Sequence, residues 1–344
     1  MSISANDRAN NRVDNRGETD YADKLQQMAA LLREWSGPIV IVAHVDPDGD
    51  ALGSSLALKR ALEAMGKTVV LPMDPPRFLE FLLREDELSD PLDTLPEHCL
   101  LAVLDVADRS RIAGAPYDGA ERVINLDHHG TNDRFGDVSC VEPSKAATAQ
   151  MVKDLLDTMD ISWSPDIATP CLTGILTDTG TLRFSNTTPD VLQTVADLIG
   201  YGVDYAELTD RLQWRHPDYY KLLGKVMSTV EFPLGGLVSM ARLTEQMREE
   251  IGPSDDDSDD FVGLIRYAEG VQVAILLKER GGKTKLSVRS RAPVSAQAIC
   301  LALGGGGHVV AAGATIEAGL EKARDEALKA TRNELEKHGY TFEA

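Results

Sequence analysis

Residues 43–54 read Ala43-His44-Val45-Asp46-Pro47-Asp48-Gly49-Asp50-Ala51-Leu52-Gly53-Ser54, placing one histidine and three carboxylates within seven residues. The apolar run Pro38-Ile39-Val40-Ile41-Val42 leads in, and a helical pattern from Ala51 to Met65 leads out. A buried strand, a tight turn and a helix open a βαβ unit, and open α/β sheets hold their ligands at the carboxyl ends of such strands. Carboxylates this crowded repel one another unless cations neutralise them. A bound divalent metal is the simplest remedy.

Outward from this stretch, strand-like and helix-like segments alternate. Strands are expected over 38–43, 68–73, 99–105 and 122–127, and helices over 21–35, 50–66, 144–159 and 166–177. Pro189 opens a further helix to about Ile199. The rhythm predicts an α/β fold with a mostly parallel sheet and flanking helices. The second half reads differently, with strands over 237–243, 271–277 and 284–290 and a charged helix over 319–337. The expected organisation is a disordered tail (1–20), a catalytic α/β domain (21–203), a helical linker (204–230) and a smaller α/β domain (231–344), with a cleft between the two domains. The acidic run Asp255-Asp256-Asp257-Ser258-Asp259-Asp260 lacks the ordered ligand spacing of a calcium loop and reads as a solvated loop or helix start.

Composition narrows the function. The chain has 344 residues, enough for two cores, and a net charge of −20. Long nucleic acid is a poor partner for such a surface, because its affinity rests on many Lys and Arg contacts to phosphate. A small anionic substrate remains open if metals and a few local cations make a positive site. Aromatic residues are only 5% of the chain, against an extended single-strand stacking platform. Cys99, Cys140, Cys171 and Cys300 are scattered, with neither a CxxC pair nor a disulfide framework, which suits a reducing cytoplasm. Residues 1–20 lack the apolar stretch of a signal peptide, and no run is apolar enough to span a membrane.

Further acidic and histidine residues follow apolar runs. Leu100-Leu101-Ala102-Val103-Leu104 leads into Asp105, and Val123-Ile124-Asn125-Leu126 leads into Asp127-His128-His129-Gly130. Asp178 stands in Gly174-Ile175-Leu176-Thr177-Asp178-Thr179-Gly180. Each has a plain reading alone: a lone Asp after a strand caps a helix, and Asp-His-His makes a turn. A parallel sheet, however, collects its strand ends along one edge, where these residues would converge. Mixed His and carboxylate donors suit Mn²⁺ or a similar first-row ion better than a thiolate-seeking metal.

Together, His44-x-Asp46-x-Asp48-x-Asp50, Asp105, Asp127-His128-His129 and Asp178 resemble the four ordered motifs of the DHH phosphoesterase superfamily. Gly304-Gly305-Gly306-Gly307-His308-x-x-Ala311-Ala312-Gly313 resembles the signature of the DHH-associated domain. The resemblance covers roughly residues 35–320 and implies two divalent metal ions, with Mn²⁺ favoured. It implies that His44, Asp48 and Asp105 hold one ion, and that Asp50, Asp105, His128 and Asp178 hold the other, with Asp105 bridging. Asp46 and Asp127 would orient ligands. His129 would face the phosphate, stabilising charge or protonating the leaving oxygen.

In the second half, Gly305, Gly306 and Gly307 permit close backbone approach, and His308 follows them. The plain reading is a flexible turn before a helix; the resemblance implies the loop that binds substrate away from the scissile bond. Alternation along Lys285-Leu286-Ser287-Val288-Arg289-Ser290-Arg291 places Ser287, Arg289 and Arg291 on one strand face, where guanidinium groups suit phosphate, with Arg266 a further candidate. Asn132, Arg109, Arg111 and Arg183 lie near metal motifs and serve equally as substrate contacts or local structural partners. Within the superfamily the chain is most similar to stand-alone bacterial nano-RNase/pAp phosphatases. This implies a cytoplasmic enzyme, in the form of a homodimer, acting on short RNA, dinucleotides and adenosine 3′,5′-bisphosphate (pAp). The competing readings are a cyclic-di-AMP phosphodiesterase, a RecJ-like exonuclease and a non-catalytic nucleotide sensor.

Overall fold

The computed structural model describes residues 15–342 apart from 253–257 and 259, and the chain divides into two compact units that meet in sequence between Trp214 and Arg215. The first contains α1 (Asn15–Glu34), β1 (Ile39–Val42), α2 (Gly49–Ala64), β2 (Val69–Val70), β3 (Leu100–Leu104), β4 (Arg122–Asp127), β5 (Val138–Val141), α3 (Thr148–Thr158), α4 (Pro165–Asp178), α5 (Pro189–Gly200) and α6 (Tyr205–Gln213). Its five strands run in the order β2-β1-β3-β4-β5, and every neighbouring pair is parallel.

Both faces of this sheet are covered, which explains why its strands read as continuous apolar runs rather than alternating ones. Ile39, Ile41, Leu100, Ala102, Leu104, Ile124 and Leu126 belong to the large helical core. Val40, Val42, Leu101, Val103 and Val123 face the other way, against Leu92, Ile112, Tyr117 and Phe135. All residues of β1 and β3 are buried. The edge strand β5 was not expected from sequence: three of its four residues are only half-buried, so no apolar signal marks it. At the other edge Val69 and Val70 pair with β1, fewer than the expected 68–73, while Pro72 forms an isolated bridge to Ser89. The first helix starts at Asn15, inside the stretch expected to be a disordered tail; residues 1–14 lie outside the described residues.

The second unit contains α7 (Pro217–Met227), β6 (Val238–Leu243), α8 (Glu245–Ile251), α9 (Phe261–Ile265), β7 (Val273–Arg280), β8 (Lys283–Ser290), α10 (Ala296–Leu301), β9 (Gly306–His308), β10 (Ala311–Ile316) and α11 (Leu320–Lys337). Its sheet runs β6-β7-β8-β10-β9, parallel between β6 and β7 and antiparallel elsewhere. The stretch expected as a linker is partitioned between cores: α6 buries Leu208 and Leu212 in the first unit, whereas α7 buries Tyr219, Leu222 and Val226 in the second. Most of the acidic run lies outside the described residues. Asp260 ends it and accepts a hydrogen bond from the Tyr219 hydroxyl.

Candidate active site

Three adjacent parallel strands build the site. In register, Val42 of β1 lies beside Val103 of β3, and Leu104 of β3 beside Leu126 of β4. The chain therefore leaves the sheet at neighbouring points, carrying His44, Asp105 and Asp127-His128-His129 to one edge. Asp105 turns there with φ of 58°, and Asp46 with 56°, both in the left-handed region that non-glycine residues avoid. Strain of about 1–3 kcal/mol per residue is tolerated where surrounding structure enforces it, commonly at functional sites.

Helices supply the remaining donors. Asp48 is the N-cap of α2, its Oδ1 accepting from the backbone N–H of Asp50 and Ala51 at 3.0 and 3.1 Å. Asp50, in the first turn of α2, is completely buried. Asp178 does not follow a strand; it is the last residue of α4, a helix packed against α2.

The donors form three overlapping groups, each with its ligand atoms within 4.8 Å of one another: His44-Asp48-Asp105, Asp105-His128-His129 and Asp50-His128-Asp178. His44 Nε2 lies 3.6 Å from Asp105 Oδ2 and 3.8 Å from Asp48 Oδ1. His128 Nε2 lies 3.6 Å from Asp105 Oδ1, 3.3 Å from Asp178 Oδ2 and 3.9 Å from Asp50 Oδ2. Most of these separations are too long for good hydrogen bonds. They suit donors sharing a cation: two ligands each about 2.1 Å from an ion stand roughly 3–3.4 Å apart, and small shifts close the difference. The donor set therefore fits divalent metal, and Asp105 offers one oxygen to each side.

Electrostatics give the same picture. Burial, then the charges of Asp105, Asp178 and Asp48, hold the Asp50 carboxyl well above its ordinary range. Burial, then Asp105 and Asp48, push Asp178 up to about 8. Burial works against charge on His44, but the nearby Asp105 and Asp48 carboxylates outweigh it and raise His44 to about 10. Burial keeps His128 below its ordinary value, favouring the neutral, ligating form. Protons held by acids and a histidine among acids are what a metal cation would replace.

His129 is held differently. Its Nδ1 lies 2.7 Å from Asp127 Oδ1, and since a carboxylate only accepts, Nδ1 carries the proton. That hydrogen bond is the main cause raising His129 to about 8, against burial. Asp127 is buried, and its Oδ2 accepts from Asn132 Nδ2 at 2.7 Å, while Asn132 Nδ2 also reaches Val106 O at 2.8 Å. Asn132 is thus the local structural partner rather than a surface contact. Arg109 pairs with Asp118 and lies over the Tyr117 ring, a structural role as well. Asp46, expected to orient a ligand, is exposed.

One functional residue escaped the sequence reading. Thr148, the first residue of α3, is completely buried, and its Oγ1 donates to Asp105 Oδ1 at 3.0 Å. Its backbone N–H donates to Asp50 Oδ2 at 2.6 Å, and that of Ala149 to Asp50 Oδ1 at 2.8 Å. The otherwise unpaired amides at the start of α3 thus grip one carboxylate while the Thr148 hydroxyl grips another. Gly174 of α4 makes room for this, since a Cβ there would stand 2.6 Å from Ala149 Cβ and 2.9 Å from Asp50 Oδ1.

In the second unit, Ser287 and Arg289 share the half-exposed face of β8. Arg291, expected on that face, lies beyond the strand end. Its Nε donates to Val271 O and its Nη2 to Arg266 O, each at 3.1 Å, so its guanidinium staples backbone. Arg266 is half-buried, with its Nε lacking a hydrogen-bond partner among the described residues. Gly306, Gly307 and His308 form the exposed edge strand β9 rather than a turn before a helix. Glycine is required for strand packing: a Cβ on Gly305 would meet Gly313 O at 2.1 Å, and Gly307 has φ of 136°.

Among the described residues no helix is long and apolar enough to cross a membrane. The chain is 55% identical to the bifunctional oligoribonuclease and PAP phosphatase NrnA of Thermus thermophilus, over 95% of this chain and 99% of that one. In fold it is similar to an exopolyphosphatase-related protein from Bacteroides fragilis, with a TM-score of 0.80 and 22% identity over 91% of this chain and 96% of that one. The solved structure of RecJ in complex with Mn²⁺, also from Thermus thermophilus, superposes with a TM-score of 0.52 and 16% identity, over 93% of this chain and 55% of that one. The DHH family N-terminal domain matches residues 38–175 and the DHHA1 domain residues 239–337. With those two domains in order and the donor set at the sheet edge, the chain belongs to the DHH phosphoesterase family.

Proposed function

We propose that this chain hydrolyses short oligoribonucleotides to mononucleotides and removes the 3′-phosphate of pAp, using two divalent ions, with Mn²⁺ favoured. The observation that carries the reading is Asp105, a buried carboxylate whose two oxygens face two different donor groups. His44, Asp48 and Asp105 are assigned to one ion, and Asp50, Asp105, His128 and Asp178 to the other. Bound divalent ions supply Lewis-acid polarisation of the phosphoryl group and acidify an attacking water.

The chain's own residues do the rest. Asp127 fixes the His129 ring through Nδ1, leaving Nε2 to face the reacting phosphate. When Nε2 carries a proton, that Nε2–H stabilises charge developing on a phosphoryl oxygen or donates its proton to the leaving oxygen. Asn132 holds the second oxygen of Asp127, so that His129 does not swing. Thr148 and Ala149 hold Asp105 and Asp50 in place. We assign Ser287, Arg289, Arg266, His308 and the β9 glycines to binding the nucleotide, because a guanidinium on a half-exposed strand face and exposed backbone amides suit phosphate.

The support is the identity to the NrnA of Thermus thermophilus and an acidic surface poorly suited to long nucleic acid. The test offers RNAs of two, five and twenty-four nucleotides, pAp and cyclic-di-AMP to the full chain with Mn²⁺. Fast conversion of the dinucleotide with slow action on the longest RNA is expected. Preference for the long strand would favour a RecJ-like exonuclease, and turnover of cyclic-di-AMP alone a signalling phosphodiesterase. Binding without turnover would favour a nucleotide sensor.

A further inference from the structure

The segment after Asp178 is shaped in a way that ending a helix does not require. One left-handed glycine suffices to close an α-helix, and Gly180, with φ of 57°, supplies it. The chain nevertheless stays left-handed through Thr181 (59°) and Leu182 (62°). A β-branched residue in that region is a marked outlier. Such strain persists only where surrounding structure enforces it. Here the enforcement is visible. Leu182 N–H donates to Thr179 Oγ1 at 3.2 Å, while the N–H groups of Arg183 and Phe184 both donate to Thr179 O, at 2.9 and 3.0 Å. Arg183 Nε reaches Gly180 O at 2.7 Å, and Asn186 Nδ2 reaches the backbone oxygens of Asp178 and Ala146 at 3.2 and 3.3 Å.

The coil folds the chain back so that the Phe184 ring lies against Gly180, two residues from a candidate metal ligand. A Cβ on Gly180 would stand 2.4 Å from the ring Cζ, so only glycine lets the ring lie there. Phe184 is nonetheless 45% exposed. A side chain recruited to the core would be covered. This one is fixed by backbone hydrogen bonds and left open on one side, in a chain with only seven phenylalanines.

We propose that Phe184 is the platform on which the nucleobase adjoining the reacting phosphate stacks, making it a specificity residue that favours nucleotides over plain phosphate esters. Aromatic faces bind bases of any identity, which suits an enzyme that degrades RNA without sequence preference. The proposal rests on the oligoribonucleotide reading above.

The test compares adenylyl-adenosine with two analogues, each lacking one of the two bases, on the full Mn²⁺-loaded chain. In Phe184→Leu, the kcat/KM for adenylyl-adenosine relative to one abasic analogue should fall roughly 5- to 150-fold, the span of base–aromatic stacking. The analogue against which it falls identifies the stacked position. Phe184→Trp should retain the ratio and quench a 2-aminopurine dinucleotide on binding. Mn²⁺ content is measured alongside, because the segment is anchored to Asp178. Equal losses on all three substrates, or no loss on any, would overturn the platform while leaving the phosphoesterase reading intact. Failure of the unmodified chain to cleave adenylyl-adenosine would instead remove the oligoribonuclease reading, and this proposal with it.

Discussion

Replacing Thr148 with valine isolates the hydroxyl that joins α3 to Asp105. Valine keeps the side chain's shape and leaves the backbone donation from residue 148 to Asp50 in place, so the change amounts to one lost donor at 3.0 Å from Asp105 Oδ1. Thr148 is completely buried and Asp105 nearly so, so water cannot readily replace that donor. A hydrogen bond to a charged group is worth about 1.5–3 kcal/mol, and loss of such an orienting partner commonly costs about 10- to 100-fold in metal affinity. Isothermal titration of Mn²⁺ into chelator-stripped protein reads this directly. Weakening within that range is expected for Thr148→Val, with Thr148→Ser near the unmodified value because it restores the donor. The reasoning fails if valine binds Mn²⁺ as tightly as threonine, or if serine is as weak as valine.

Three other outcomes follow from the same cluster. Burial and neighbouring charge raise Asp178 to about 8 and hold Asp50 well above its ordinary range, so both carboxyls favour keeping their protons in the metal-free chain. Mn²⁺ must displace them, so titrations in buffers of different ionisation heat should show net proton release at pH 7. The folded chain binds more protons than the unfolded one between roughly the ordinary carboxylate value and 8, so metal-free stability should fall as pH rises through that window, read as a declining Tm that Mn²⁺ restores. Gly174→Ala forces a methyl to within 2.6 Å of Ala149 Cβ and 2.9 Å of Asp50 Oδ1; overpacking of about 1–3 kcal/mol should lower the urea midpoint and weaken Mn²⁺ binding together. An unchanged midpoint would mean that α3 and α4 part easily.

The sequence carried the sheet and its donors because buried parallel strands leave unbroken apolar runs, each ended by a polar cluster. β1, β3 and β4 were legible for that reason. β5 was not, because a half-buried edge strand has no such run. Gly306–His308 was read as a turn or loop, and Ala311–Ile316 was not expected as a strand, because glycine and alanine resemble a turn, whereas here their smallness lets backbones pair closely. Arg291 fits an alternating pattern on paper, but β8 ends one residue earlier and the side chain turns to backbone carbonyls. Thr148 was hidden because its partners, Asp50 and Asp105, lie 98 and 43 residues away, and no local pattern reports such distances.

The order β1-β3-β4 makes the sheet a ruler. Neighbouring strands sit about 4.8 Å apart whatever side chains they carry. Because His44, Asp105 and His128 each leave a different one of these strands, the lateral pitch of their anchors is a backbone constant. Mutation can change which donor stands at each mark, but moving a mark means rebuilding the ladder. A chain of this design can exchange the residues that grip its substrate while the interval between its donor groups stays locked, so diversification should proceed through substrate choice long before it reaches the chemistry.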